Sequence, residues 1–435
     1  MGKTHAEESL GANPADAAIN PADSVAMGVP SSRLPRFLAS ERGRGFRALA
    51  HREYRLLFSA FVINQTGFWI SHISLQKLMI ELSDNDPSMV GWLFFFLFVP
   101  AFLFAPIAGV AADRFDRKRI LLGCYSVVIG IAGVLAWTTS TGAITPRLLL
   151  LLSLVMGTAY AFSGPPNFAI AANSVPDDDL PSAVSLQSAA NNLTRVVGPL
   201  LSASLVAMGS LASRFVVYMV AAAIAATLIA LIRLTPFTPE DDDDGMLARM
   251  ASGFRHARER EPAVPALATV AVLTLFGVSH MTLVSVFTAE VLGDRDLFEW
   301  IVASTGAGAL VGALVSGYRQ TSLRAAGGMF FAYAVALTAF ASTRDWHIAM
   351  LMQLLIGFFY FTVMTSLQTI VQQVVDDAKR GRVMSLFQIC WAGLVPFGGI
   401  GMGKAAAAFG VVPTLLAAAG VCASYGILLI VWQRD

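Results

Sequence analysis

Twelve largely apolar runs of about twenty residues or more punctuate the chain, at about 56–82, 89–112, 119–139, 147–172, 182–208, 212–233, 263–290, 297–318, 322–342, 346–374, 383–408 and 411–432. A run of that length crosses a ~30 Å hydrocarbon core as an α-helix rising ~1.5 Å per residue. A helix also satisfies its own backbone polar groups, which lipid cannot do. The runs lack the strict alternation of a membrane β-barrel. Only 14% of the residues are charged, against roughly 25% in a soluble chain, and the mean hydropathy is +0.64. A soluble enzyme, a secreted disulfide scaffold and a disordered chain are excluded. The expected fold is an all-α membrane protein of twelve transmembrane helices.

The spans fall into two sixes. Residues 1–54 are an Ala-, Pro-, Ser- and Arg-rich tail expected to be disordered. Residues 55–233 form a first six-helix bundle. Residues 234–262 form a linker, in which Leu247, Met250, Phe254 and Ala257 recur at helical spacing; such a segment lies on a membrane surface or stays a solvated connector. Residues 263–435 form a second bundle. A shift of 200 residues aligns Gly157 with Gly357, Tyr160 with Tyr360, Asp177 with Asp377 and Gly198 with Gly398. Parallel repeats about an axis along the membrane normal are a transporter architecture, with cargo held between the halves near the midplane. With the N-terminus inside the cell, inner tails and loops hold 23 Lys and Arg and outer loops hold four: Arg147, Arg214, Arg295 and Arg344. That asymmetry places both termini in the cytoplasm.

Net charge is +1, so no basic field points to nucleic acid. Cys124, Cys390 and Cys422 lie far apart inside apolar runs, as buried, inert thiols do. No metal ligand set, catalytic triad or cofactor motif is present, so neither an enzyme nor a bound cofactor is expected. The run Gly398-Gly399-Ile400-Gly401-Met402-Gly403-Lys404-Ala405 imitates a phosphate loop. It lacks the Ser or Thr after Lys and lies within a span. Small residues that let helices approach closely are the better account.

Polar residues inside spans are costly and mark cavities or partners. Span 1 carries Gln65, Trp69, His72 and Gln76 on one helical face, with Asn64 beside it. Span 5 carries Gln187, Asn191 and Arg195 at i, i+4 and i+8. Span 7, the repeat partner of span 1, carries His280, and both histidines follow a serine. Imidazole titrates near neutral pH, so His72 and His280 either couple protons to transport or remain neutral, buried and hydrogen-bonded. Arg195 either binds an anionic cargo, pairs with an acid, or bonds backbone carbonyls. Lys77 and Glu81 are spaced for an i, i+4 pair. Glu290 and Glu299 lie near outer span ends, and no carboxylate is central in any span.

The loop between spans 2 and 3 reads Gly109-Val110-Ala111-Ala112-Asp113-Arg114-Phe115-Asp116-Arg117-Lys118-Arg119. It resembles the G-x-x-x-D-R-x-G-R-[RK] loop of the major facilitator superfamily. Gly109, Asp113, Arg114, Arg117 and Lys118 match, and Asp116 stands where the family has its second Gly. The resemblance implies two pseudo-symmetric six-helix bundles and an Asp113 that pairs toward the start of span 11, closing the cytoplasmic side. Gly198-Pro199 resembles the span 5 Gly-Pro motif of drug-exporting members. His51-Arg52-Glu53-Tyr54-Arg55-Leu56-Leu57-Phe58 and Gly253-Phe254-Arg255 are similar to segments of the enterobactin-exporter and macrolide-efflux-like branch.

That branch implies a secondary transporter; a monomer in the inner membrane, in contact with lipid, is expected. It would export a small amphipathic molecule such as a siderophore or drug by alternating access, with H⁺ as coupling ion. A lipid flippase, an uptake symporter and a non-transporting receptor or scaffold remain as alternatives on the same fold.

Overall fold

The computed structural model describes residues 41–206, 210–233, 254–316 and 322–432, without the side chains at 41–44, 106, 113, 192, 203, 206, 314, 316, 377–382 and 432. The first half holds α1 (Arg52–Leu82), α2 (Pro87–Arg114), α3 (Arg117–Ser140), α4 (Pro146–Asn173), α5 (Leu180–Val206) and α6 (Leu211–Ala230). The second holds α7 (Ala263–Glu290), α8 (Leu297–Ser316), α9 (Leu323–Ser342), α10 (Trp346–Val374), α11 (377–409) and α12 (Val411–Trp432). Among the described residues, ten helices are long and apolar enough to cross a bilayer. Helix α8 contributes a shorter apolar stretch, Leu297–Ala313.

The two halves pack by the same plan. In the first, α2 lies on α4, α3 on α4 and α6, and α1 on α5 and α6; in the second, α8 lies on α10 and α9 on α10 and α12. The halves meet through α2 with α11 and through α5 with α8, which are equivalent contacts under the repeat. The repeat identities have a packing cause. A Cβ on Gly157 would strike the Leu97 carbonyl of α2, and one on Gly357 the Thr305 carbonyl of α8. Gly198 likewise seats α5 on Trp69 of α1, and Gly398 seats α11 on Ser279 of α7. Small residues at these crossings let backbones touch. The glycine run of α11 is therefore a helix crossing: Gly399 and Gly403 meet Gly91 of α2, and Lys404 lies 5.2 Å over the Trp92 ring.

Two helices of the second half are interrupted. Helix α7 passes through a π turn at Leu273–Gly277 and a 3₁₀ turn at Val278–His280, and α11 has a π turn at Ile389–Gly393. Such turns re-aim side chains at functional positions.

The tail expectation needs correction for its last residues. Glu41–Ala50 forms a 3₁₀ helix packed on α5. Ala48 N–H donates to Ser182 Oγ at 3.1 Å and Tyr54 Oη to the Ala183 carbonyl at 2.7 Å. His51 pairs with Asp179 at 2.8 Å. The basic composition hid an apolar face (Ala48 and Tyr54) that is buried against the bundle. Of the linker's periodic residues, Ala257 is buried and Phe254 exposed, while Leu247 and Met250 lie outside the described residues.

The loop between α2 and α3 turns without a second glycine. Asp116 has φ −57°, and its carboxylate caps α3 by accepting from the N–H groups of Lys118 and Arg119 at 2.9 and 3.1 Å. Arg117 Nε donates to the Ala112 carbonyl at 3.1 Å, and Lys118 Nζ to the Ala230 and Ile232 carbonyls at 2.7 Å. Arg114 is exposed and Gly109 half-buried. The side chains of Asp113 and of the start of α11 lie outside the described ones. Asp116→Ala should cost about 1 kcal/mol and Asp116→Gly only a few tenths, read as shifts in the thermal unfolding midpoint of the purified protein.

Candidate functional site

A cavity of about 360 Å³ lies between the halves. Span 1 supplies Gln65, Trp69, His72 and Gln76, span 5 supplies Asn191 and Arg195, and span 7 supplies His280. Seven of the eight cavity residues expected from sequence thus converge. Asn64 does not: it is buried but absent from the lining, because it sits one residue off the face that Gln65, Trp69, His72 and Gln76 share. The helix 5 glycine and proline are buried behind the lining.

The walls are aromatic. Phe68, Trp69, Phe94 and Phe98 surround the His72 ring at centroid distances of 5.4–5.7 Å. Tyr333, Tyr360 and Trp391 complete the opposite side. The Arg195 guanidinium lies 5.8 Å from the ring centroids of both Trp69 and Trp391, held by cation–π attraction from either half. Among the described residues no carboxylate pairs with it. Gln65 Nε2 donates to Asn191 Oδ1 at 3.3 Å, joining α1 to α5.

Four lining side chains keep a polar atom without a partner among the described residues: Trp69 Nε1, His72 Nδ1, Gln76 Oε1 and Arg195 Nε. Buried polar groups are otherwise paired, so atoms left over around one cavity are the groups available to a bound molecule. Two of them, Trp69 and Arg195, can only donate.

The two histidines differ. His280 Nδ1–H donates to the Gly277 carbonyl at 2.6 Å, and its Nε2 faces the Gln353 amide at 3.2–3.3 Å. Gln353 Oε1 also accepts from Thr305 Oγ1 at 2.9 Å. Both nitrogens of His280 are therefore engaged by protein. Among the described residues His72 has Gln76 alone, at 3.2 Å, on Nε2.

Sequence reasoning did not find Gln353, Tyr360 and Trp391 as members of this neighbourhood. The repeat held the signal for two of them: Trp391 is the 200-shift partner of Asn191, and Tyr360 of Tyr160. Gln353 is flanked on both sides by apolar residues and is 0% exposed, and only the position of His280 reveals its use.

The i, i+4 pairing of Lys77 with Glu81 is replaced by contacts across the halves. Lys77 Nζ donates to Asp296 and lies 3.9 Å from Glu299. Arg214, counted above with the outer loops, is 2% exposed and donates through Nη1 to Glu299 at 2.5 Å. The cause is reach: Glu81 points outward at the exposed end of α1, whereas Glu299 enters the interface in the first turn of α8.

The sequence matches the family described as transmembrane secretion effector over residues 44–433. It is similar to the staphyloferrin A transporter of Staphylococcus aureus, 24% identical over 370 residues that cover 83% of this chain and 91% of that one. It is also similar to macrolide efflux protein A of Streptococcus pyogenes, 23% identical over 181 residues, or 41% of this chain and 44% of that one. Among solved structures, the nucleoside transporter NupG superposes with TM-score 0.69 at 14% identity, covering 88% of this chain and 99% of that one. A bacterial homologue of the human lysosomal transporter Spinster, inward-facing and occupied, superposes with TM-score 0.67 at 14% identity, covering 91% and 98%.

Proposed function

Because this chain belongs to the transmembrane secretion effector family of major facilitator transporters, we propose that it exports a small anionic molecule with an aromatic or apolar body, driven by a proton gradient. The observation that carries this reading is the set of four unpartnered polar atoms, two of them donors only, in an aromatic cavity between the halves. Arg195 supplies the charge for an anionic group, the Trp69 indole N–H a second donor, and the rings a face for the body of the cargo. The volume lies at the low end of the ~300–1,000 Å³ range of small-molecule pockets, which favours a cargo smaller than a macrolide. The relative named for macrolide efflux supports the direction, and with the one named for staphyloferrin A transport it supports the breadth of cargo. The Lys and Arg asymmetry supports cytoplasmic termini in an inner membrane. Rocking of the two halves about the cavity then exposes it to each side in turn.

Inverted membrane vesicles under an imposed proton gradient should accumulate cargo, with staphyloferrin A and a small aromatic carboxylate as probes. Accumulation confined to right-side-out vesicles would establish uptake instead. His72, with a free ring nitrogen, carries the proton role better than His280, whose nitrogens are both engaged. His72→Gln should flatten the pH profile of transport, and His280→Gln should keep it. An unchanged profile in an active His72→Gln variant removes the proton role.

A further inference from the structure

Beyond the cavity, one cluster of buried charge joins the halves and belongs to no motif in the sequence. From the first half come Lys77 of α1 and Arg214 of α6; from the second come Glu299 of α8 and Asp296 of the α7–α8 loop. Glu299 and Arg214 are 1% and 2% exposed, whereas the Asp296 side chain is 67% exposed. Ser202 of α5 stands 3.4 Å from Arg214 Nη1. Among the described residues, Glu290 at the end of α7 and His347 at the start of α10 lie beyond ion-pair distance of Glu299. Beside the cluster, Arg295 Nη2 donates to Asn85 Oδ1 at 2.8 Å, tying the α1–α2 loop to the α7–α8 loop. The cluster also roofs the cavity: Gln76 precedes Lys77, and Val302, one turn along α8 from Glu299, belongs to the lining.

We propose that Glu299 is a proton-binding site that locks the α1–α2 face of the protein. With every group ionised, two cations of one half face two carboxylates of the other, and the sum is zero. A proton on Glu299 leaves two cations against Asp296 alone. Arg214, nearly excluded from water, loses the one carboxylate that pairs with it among the described residues and requires hydration. Parting the helix ends supplies that water. Asp296, exposed and paired with buried Lys77, marks the side from which a proton arrives.

The sign decides what the site can do. Protonation opens this face and deprotonation closes it, so the proton enters and leaves from the same side. Glu299 therefore gates the transporter and does not carry the driving proton across. Acid on the α1–α2 side biases that side open, which is the sense in which an exporter releases cargo there. The lock rests on the transporter fold alone and requires no identified cargo.

Spin labels at Ser210→Cys and Asp294→Cys, both exposed on this face, read its opening in the purified full chain. Between about pH 8 and about pH 5 the mean distance should lengthen by ~5 Å, on the scale of one helical turn. Glu299→Gln should show the long distance at both values, and Glu299→Asp should keep a pH response. A distance distribution in Glu299→Gln that follows the wild type at both values overturns the proposal. If Glu299→Gln does not fold, a wild-type distance that stays put over the same pH range overturns it equally. The measurement uses protons alone, so failure here leaves export intact, and failure of the vesicle experiment leaves the lock intact.

Discussion

With Arg195 replaced by Gln, accumulation of an anionic cargo falls by about 10- to 150-fold, the equivalent of a charge-assisted hydrogen bond worth about 1.5–3 kcal/mol. The guanidinium lies between two indoles, one from each half, so it is already oriented before cargo arrives. Little ordering remains to be done on binding. Arg195→Lys keeps the charge and loses the planar stack, so its effect falls between those of wild type and Gln. An aromatic carboxylate and its methyl ester, compared in the same vesicles, separate charge from body. The ester should be nearly indifferent to the Gln variant. Equal loss for both probes would mean that Arg195 acts by packing the two tryptophans, and full retention for the carboxylate would remove it from the binding site.

Arg214→Met lowers stability by about 3–5 kcal/mol, the usual cost of leaving one member of a buried ion pair behind. Glu299 is 1% exposed and would keep only Lys77, 3.9 Å away. The double variant Arg214→Met with Glu299→Met removes both charges and fills the space with flexible apolar chains, so it should recover most of the loss. Thermal or detergent unfolding of the four proteins completes the cycle. Additive losses in the double variant would show that the pair is not a coupled unit. The prediction concerns stability, and the pH response of the lock is read separately from the spin-label distances.

Most of the helix plan was legible in the sequence because each span is a local property. The apolar runs at 263–290 and 411–432 coincide within a residue with the helices there. The polar stripes on spans 1 and 5 follow from helical spacing alone, and so do their shared faces. Asn64 shows the limit of that logic: it neighbours the stripe, yet one residue turns a side chain by ~100° about the helix axis. The capped turn at Asp116 shows another. A family pattern with glycine there suggests a special backbone, whereas a negative φ admits an ordinary residue that caps the next helix.

What the sequence determined by itself is the solvent each segment requires. Apolar runs of bilayer length must be helices in lipid, and a repeated order of small and polar residues makes two similar bundles. Only the tertiary structure decided which charges meet. Lys77 and Asp296 are separated by 219 positions along the chain, and Arg214 and Glu299 by 85. No local period relates them. Coulomb attraction in a water-poor interface acts on distance in space, and that distance exists only once the two bundles have docked.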